Sequence, residues 1–140
     1  MIDALIARIK NTVPDIKFVG GAAEFQTAAD NAPKVTPAVF VIQLEETPSP
    51  SADANIVIQR VHAVVGIILV VRNVSDNTGA AALASTEALR KAIKDQVFGW
   101  QAKPELDPFE RAGSHLLAFR DGHAWWQDAY STIYYDRSKL

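Results

Sequence analysis

The sequence predicts one α+β domain that contains two helices and two β-hairpins. Of its 140 residues, 49% are hydrophobic and 21% are charged, and none is Cys. This composition is typical of a packed globular domain, and the length suits a single domain over residues 1–140 with one core. Hydrophobic periodicity then separates the helices from the strands.

Two stretches repeat apolar residues at helical spacing. The first covers about residues 2–12 and stops before Pro14, because proline disfavours a helical backbone at the residue that precedes it. The second covers about residues 79–98, where Ala is abundant, no Pro intervenes and Gly99 offers a natural end to the helix. Residues 24–37, with two prolines and little pattern, are predicted to be mostly loop.

A long apolar stretch at residues 56–72 predicts the strand around which the domain is organised. It is rich in Val and Ile, which favour an extended backbone. At about 3.3 Å per residue it would span roughly 55 Å, more than a usual strand. It therefore either bends at Gly66 or projects from the domain, and we expect it to project. Together with residues 38–45, across a turn-rich connection, it forms a projecting β-hairpin over about residues 38–72.

A second hairpin is predicted over about residues 114–135. Asp121 and Gly122 suit the two central positions of a type I′ turn, which matches the twist of the strands it joins. Such a turn determines which residues face each other across the hairpin. The pairs that follow are Arg120 with His123, Leu117 with Trp126, and His115 with Asp128.

His115 and Asp128 are the best catalytic candidates in a sequence without nucleotide-binding, zinc-protease, EF-hand or nucleophile-elbow motifs. Across the hairpin they would form a base with its orienting carboxylate, with Ser114 and Ser131 as nearby nucleophiles. An ordinary surface pair is the favoured alternative, because nothing builds an oxyanion site or a cofactor cradle around them. We predict no catalytic residue, no cofactor and no metal.

Charge and hydropathy argue against two classes of partner. The net charge is −2 and the pI is about 5.9, and no run of Lys or Arg occurs, whereas a nucleic-acid-binding protein usually has a basic patch. The longest apolar run, residues 63–71, is far too short to span a membrane, and the N-terminus lacks the features of a signal peptide. We expect a soluble protein with neither a membrane nor sequence-specific nucleic acid as partner.

Four side chains are candidates for a protein interface. Trp125 and Trp126 are neighbours in a strand, so they point to opposite faces of the sheet. We expect one in the core and the other outside or in an interface, where aromatic residues are enriched; a core role for both, beneath a helix, is equally compatible. Arg60 and His62 form the polar part of the long strand, and His62 could instead serve as a ligand or a pH switch.

Several segments follow one another in an order that matches a known family. They are PAVFVIQLEE, a long strand ending in IILVVRN, an Ala-rich helix closing on GW, the LLAFRDG hairpin and the final strand WWQDAYSTIYY. From about Met1 to Tyr135, the chain resembles the tail-terminator, or tail-completion, proteins of long-tailed bacteriophages, particularly those of Mu-like phages and prophages.

The resemblance implies a mixed or mainly antiparallel sheet packed against helices, in a structural virion protein that is not an enzyme. Such proteins form a homohexameric ring on the growing end of the tail tube, stop its polymerisation and present a surface to the head. The implied partners are other copies of the chain, the tail-tube protein and a head–tail connector or neck protein. The implied location is the head-proximal end of a virion tail assembled in the host bacterial cytoplasm. The residues expected at or near these contacts are Arg60, His62, Arg72, Trp125 and Trp126.

Two other functions stay open at this point. A head-side connector, such as a stopper or a neck adaptor, would share the size, the charge and the lack of catalytic motifs but would bind the portal side. A small enzyme that uses His115 and Asp128 is the more distant alternative.

Overall fold

The computed structural model describes residues 1–72 and 80–140, with the side chains of the last helix described from residue 84 onward. In chain order the elements are α1 (Ile2–Thr12), β1 (Phe18–Gly20), α2 (Ala22–Asn31), β2 (Ala38–Pro48), β3 (Ile58–Arg72), α3 (Ala80–Val97), β4 (Glu110–Arg120) and β5 (His123–Arg137). The predicted single α+β domain is confirmed, with three helices in the described residues rather than two.

The strands form one mixed, mostly antiparallel sheet in the order β1-β2-β3-β5-β4. Only the β1–β2 pair is parallel, and it is confined to Ala38–Phe40 of β2. The long strand β3 lies at the centre, paired with β2 on one side and with β5 on the other. The two predicted hairpins are therefore joined side by side through β3 and β5.

The β2–β3 hairpin projects as predicted, but it is not a two-stranded arm. Residues 43–57 are all exposed apart from half-buried Ser51. β5 accompanies β3 to the far end, because Arg137 pairs with Ile58. The projection is thus a three-stranded extension of the central sheet.

The bend at Gly66, the alternative to a projecting strand, does not occur in β3, and an irregularity lies in the neighbouring strand instead. A β-bulge interrupts β2 between Gln43 and Glu45, while β3 continues without a break. A Cβ atom on Gly66 would lie 3.0 Å from the Leu44 Cδ1 atom. The missing side chain at Gly66 therefore makes room for the residue at the bulge.

α1 and α3 cover one face of the sheet, and α2 covers part of the other. Leu5 and Ile9 of α1 are fully buried against the first face, as the helical spacing predicts. On α3, the buried residues recur in the same way and are Thr86, Leu89, Ile93 and Val97. The second face has a smaller core formed by Ala28, Ala38, Phe40, Ile68, Val70 and Trp125.

The prediction of mostly loop for residues 24–37 is wrong over the first half of that range, which belongs to α2. The helix buries only Ala28, with Phe25 half-buried, so its apolar periodicity is weak. Its local signal is at the start, where the Gly21 amide donates to the Glu24 carboxylate across 3.2 Å, which satisfies a free N–H of the first turn. The end is at Ala32, with a φ of 61°, immediately before Pro33.

The turn predicted at Asp121 and Gly122 is confirmed by positive φ angles of 52° and 70°, as a type I′ turn requires. Arg120 lies opposite His123 as predicted, but a bulge between Leu116 and Ala118 shifts the register beyond it. The predicted pairings further along are therefore wrong. Trp126 faces Leu116 rather than Leu117, and Asp128 faces Ser114 rather than His115.

Candidate functional site

The five residues proposed for interfaces lie in separate places. Arg60 and His62 lie on a face that we call the open face, formed by the even-numbered β3 residues from 58 to 64 and the odd-numbered β5 residues from 131 to 137. Arg60 is exposed there and His62 is half-buried. Arg72 is exposed at the opposite end of β3, about 40 Å away along an extended strand.

Trp125 and Trp126 lie on opposite faces of the sheet. Trp125 is 3% exposed, packed edge-on against Phe25 of α2 at 6.3 Å and covered by the Arg120 guanidinium at 5.2 Å. Trp126 is half-buried on the other face, with the Arg90 guanidinium 4.3 Å from its ring centre. Only Trp126 retains surface that a partner can touch directly.

The catalytic pair of His115 and Asp128 is not formed. Because the β4 bulge shifts the register by one residue, the two side chains point to opposite faces of the hairpin. Asp128 instead receives two hydrogen bonds of 2.8 Å from Arg90, through Nε and Nη2. The Ser114 hydroxyl donates a third, short hydrogen bond to the same carboxylate.

These bonds form the floor of a cleft of about 270 Å³ between α3 and the β4–β5 hairpin. We call it the cationic cleft, and it is lined by Glu87, Arg90, Lys91, Lys94, Arg111, Asp128 and Tyr130. Four of these side chains are cationic and two are carboxylates. The cleft is therefore positively charged in a chain whose net charge is −2.

Titration near neutral pH does not change the charge of the cleft floor. Burial raises the pKa of Asp128, but hydrogen bonds from Arg90 and Ser114 outweigh burial and bring that pKa below its ordinary value of 3.8. The bond to Asp128 also raises the pKa of Arg90. Burial, followed by the charge of Asp128, raises the pKa of the Tyr130 hydroxyl to about 12.

Sequence reasoning missed the cationic residues of this cleft. Arg90 and Lys94 are one helical turn apart on α3, and Arg111 comes from β4, so only the packed sheet brings them together. The available signal was Asp128, a carboxylate in the middle of an aromatic, largely buried strand. A buried carboxylate needs a cationic or hydrogen-bonding partner, and α3 supplies it.

The second notable surface is the hairpin tip, which we define as residues 43–57. From residue 35 to residue 59 the chain contains Glu45, Glu46 and Asp53 and no Lys, Arg or His. The Tyr134 hydroxyl donates to Glu46 Oε1 across 2.9 Å. Asp53 accepts hydrogen bonds from the Asn55 and Ile56 amides at 2.8 and 3.2 Å, which lowers its pKa. The tip is thus acidic, and its carboxylates are held by hydrogen bonds from Tyr134 of β5 and from amides of the tip itself.

In residues 1–72 and 80–140, no group of three or more His, Asp or Glu side chains is placed to hold a metal ion. No helix within the same ranges has the length and hydropathy to cross a membrane.

The model of one protein family, described as phage tail terminator protein, matches residues 2–138. The chain is therefore a structural protein of a phage tail, and it belongs to the phage tail terminator family. A solved chain from the virion of a native gene transfer agent particle is similar, with 14% identity and a TM-score of 0.48 over 94% of this chain and 84% of that chain. No curated protein sequence matches. The relation to Mu-like phages stays a prediction.

Proposed function

We propose that the protein caps the end of the tail tube as a ring, stops polymerisation of the tube and provides the surface that joins tail to head. The observation that carries this proposal is the family match, which spans residues 2–138. The proposed location is the head-proximal end of the tail, after assembly in the host cytoplasm.

The ring is proposed to be a homohexamer built from head-to-tail contacts. In such contacts two different patches of the same chain meet, and the ring closes when the rotation between neighbours allows it. The proposed contact residues are Arg60, His62, Arg72 and Trp126, with Trp125 supporting the sheet beneath Arg120. The exposed sides of β2 and β4 and the projecting hairpin tip support a function in assembly.

The remaining partners are the tail-tube protein on one side of the ring and a connector or neck protein on the other. The proposed function is not enzymatic. The position of His115 supports this part of the proposal, because its side chain points away from Asp128 and from the cleft that Asp128 lines.

The test is the length of tails in negative-stain electron micrographs, with and without the gene, in the phage or prophage that encodes it. We expect overlong tails without heads when the gene is deleted, and normal tails when an intact copy is returned. Tails of normal length that fail to join heads would favour the head-side connector instead. Intact, infectious particles without the gene would overturn both functions.

A further inference from the structure

The two side edges of the sheet are both open to another chain. β1 pairs only with Ala38–Phe40, so no strand of the described chain lies outside β2 from Val41 to Pro48. On the other side, β4 is the outermost strand along its whole length. Backbone groups at such an edge are available for association with a second chain.

The outer side of β2 is acidic with an apolar residue at its centre. We call residues 43–48 the acidic edge, where Glu45 and Glu46 are exposed and Leu44 retains 41% of its surface. Neither carboxylate has a cation within ion-pair distance among the described residues. The acidic edge therefore presents two charges that the described part of the chain does not neutralise.

The opposite side of the sheet is basic with apolar residues beside the charges. We call β4 and the cationic cleft together the basic edge. Lys94 and Arg111 line the cleft, and neither has a carboxylate within ion-pair distance in the described ranges. On β4, three large apolar side chains are 41–49% exposed, namely Leu116, Leu117 and Phe119.

One chain cannot bring its own edges together. From Glu46 the sheet runs through Ala63 of β3 and Thr132 of β5, and β4 begins one residue along β5, where Glu110 pairs with Ser131. The two edges are therefore three strand spacings, roughly 14 Å, apart.

Glu46 pairs with Ala63, which pairs with Thr132 of β5. Every second residue of a strand lies on the same face, so Thr132 shares a face with Asp128 and Tyr130 of the cleft. Glu46 and the cleft therefore lie on the same face of the sheet.

We infer that the basic edge of one copy docks on the acidic edge of the next copy in the ring. Side-by-side placement of two copies opposes Lys94 and Arg111 of one copy to Glu46 of the next, on the same face of the sheet. Glu45 adds a second negative charge on the same edge strand. This inference rests on the proposed ring, and it adds two surfaces that meet in each contact to the contact residues proposed above. The contact is head-to-tail, as a closed ring requires, and opposite charges determine the order of the partners.

Charge reversal at each edge tests the contact in the full-length protein. Lys94→Glu with Arg111→Glu makes both edges acidic, whereas Glu45→Lys with Glu46→Lys makes both edges basic. We expect each variant to lose the ring, seen in light scattering after size exclusion as a fall from a multiple of 15.3 kDa to the monomer. Lys10→Glu with Lys34→Glu is the matched control, since both lysines are exposed and lie outside both edges, and it should keep the ring.

The decisive experiment is to mix the two charge-reversed variants. In the mixture, the reversed edge of one variant can bind the reversed edge of the other, because their charges are opposite. The unchanged edges of the two variants are also opposite in charge and can bind each other. An alternating ring with an even number of subunits should therefore form again, whereas neither variant forms one alone. Recovery of the ring also establishes that both variants are folded.

The outcomes separate the contact from the proposed function. Rings that persist in both reversed variants would overturn the contact and leave the capping function standing. Folded variants, by circular dichroism, that stay monomeric in the mixture would also overturn it. A wild-type protein that forms no ring, alone or on tail tubes, would count against the proposed function itself.

Discussion

The two halves of β3 differ in what covers them. From Ile67 to Val71 every side chain is at most 5% exposed, because α1 and α3 lie on one face and α2 on the other. From Ile58 to His62 the strand is buried only at Val61. β5 pairs with both halves, and β2 pairs with Val61 to Val70, so the main difference in cover comes from the helix layers. We expect stability to depend on the covered half and assembly on the projecting half.

The largest expected effect is the loss of stability from a cavity in the covered half. Leu69→Ala removes a side chain that is 1% exposed, and we expect it to lower the free energy of unfolding by about 2–5 kcal/mol. Leu44→Ala, in the hairpin tip, removes a side chain that is 41% exposed, and it should lower the free energy of unfolding by less than about 1 kcal/mol. Urea unfolding measures both losses, and equal values would contradict the expectation that stability depends on the covered half.

A smaller effect is expected at the floor of the cationic cleft. Asp128→Asn removes the bidentate ion pair with Arg90, which should cost about 1–3 kcal/mol. Because the pKa of Asp128 is lowered on folding, this stabilisation is complete above the ordinary pKa of 3.8 and is lost as pH falls through the lower folded value.

Urea unfolding as a function of pH checks the prediction for Asp128. The free energy of unfolding of the wild-type protein should approach that of the Asp128→Asn variant as pH falls below 3.8. A constant difference between the two proteins at all pH values would contradict the assignment.

The smallest expected change in stability is at Arg60, in the projecting half. Arg60 is exposed on the open face, so Arg60→Glu should change the free energy of unfolding by less than about 0.5 kcal/mol. We nevertheless expect it to impair formation of the ring, measured by light scattering. A ring that forms as well as the wild type would remove Arg60 from the proposed interface, and a large loss of stability would contradict the division between the two halves.

The sequence by itself determined the elements that have a strong local pattern. The apolar periodicity of α1 and α3, the Val- and Ile-rich β3 and the Asp121–Gly122 turn each depend on residues close together in the chain. The family resemblance also rested on the order of these segments, and the match over residues 2–138 confirms it. The weakly amphipathic α2 was missed, because a helix that buries little apart from Ala28 leaves almost no periodic signal.

Only the tertiary structure decided the register of β4 and, with it, the candidate site. One bulge between Leu116 and Ala118 moved Asp128 away from His115 and towards Arg90. The parallel β1–β2 pair, the central place of β3 and the opposite charges of the two sheet edges likewise arise from residues far apart in the chain. The hydrophobic pattern of a strand has a period of two, so it predicts which side chains share a face of the sheet. It does not predict where a β-bulge inserts an extra residue or which strand lies next to it.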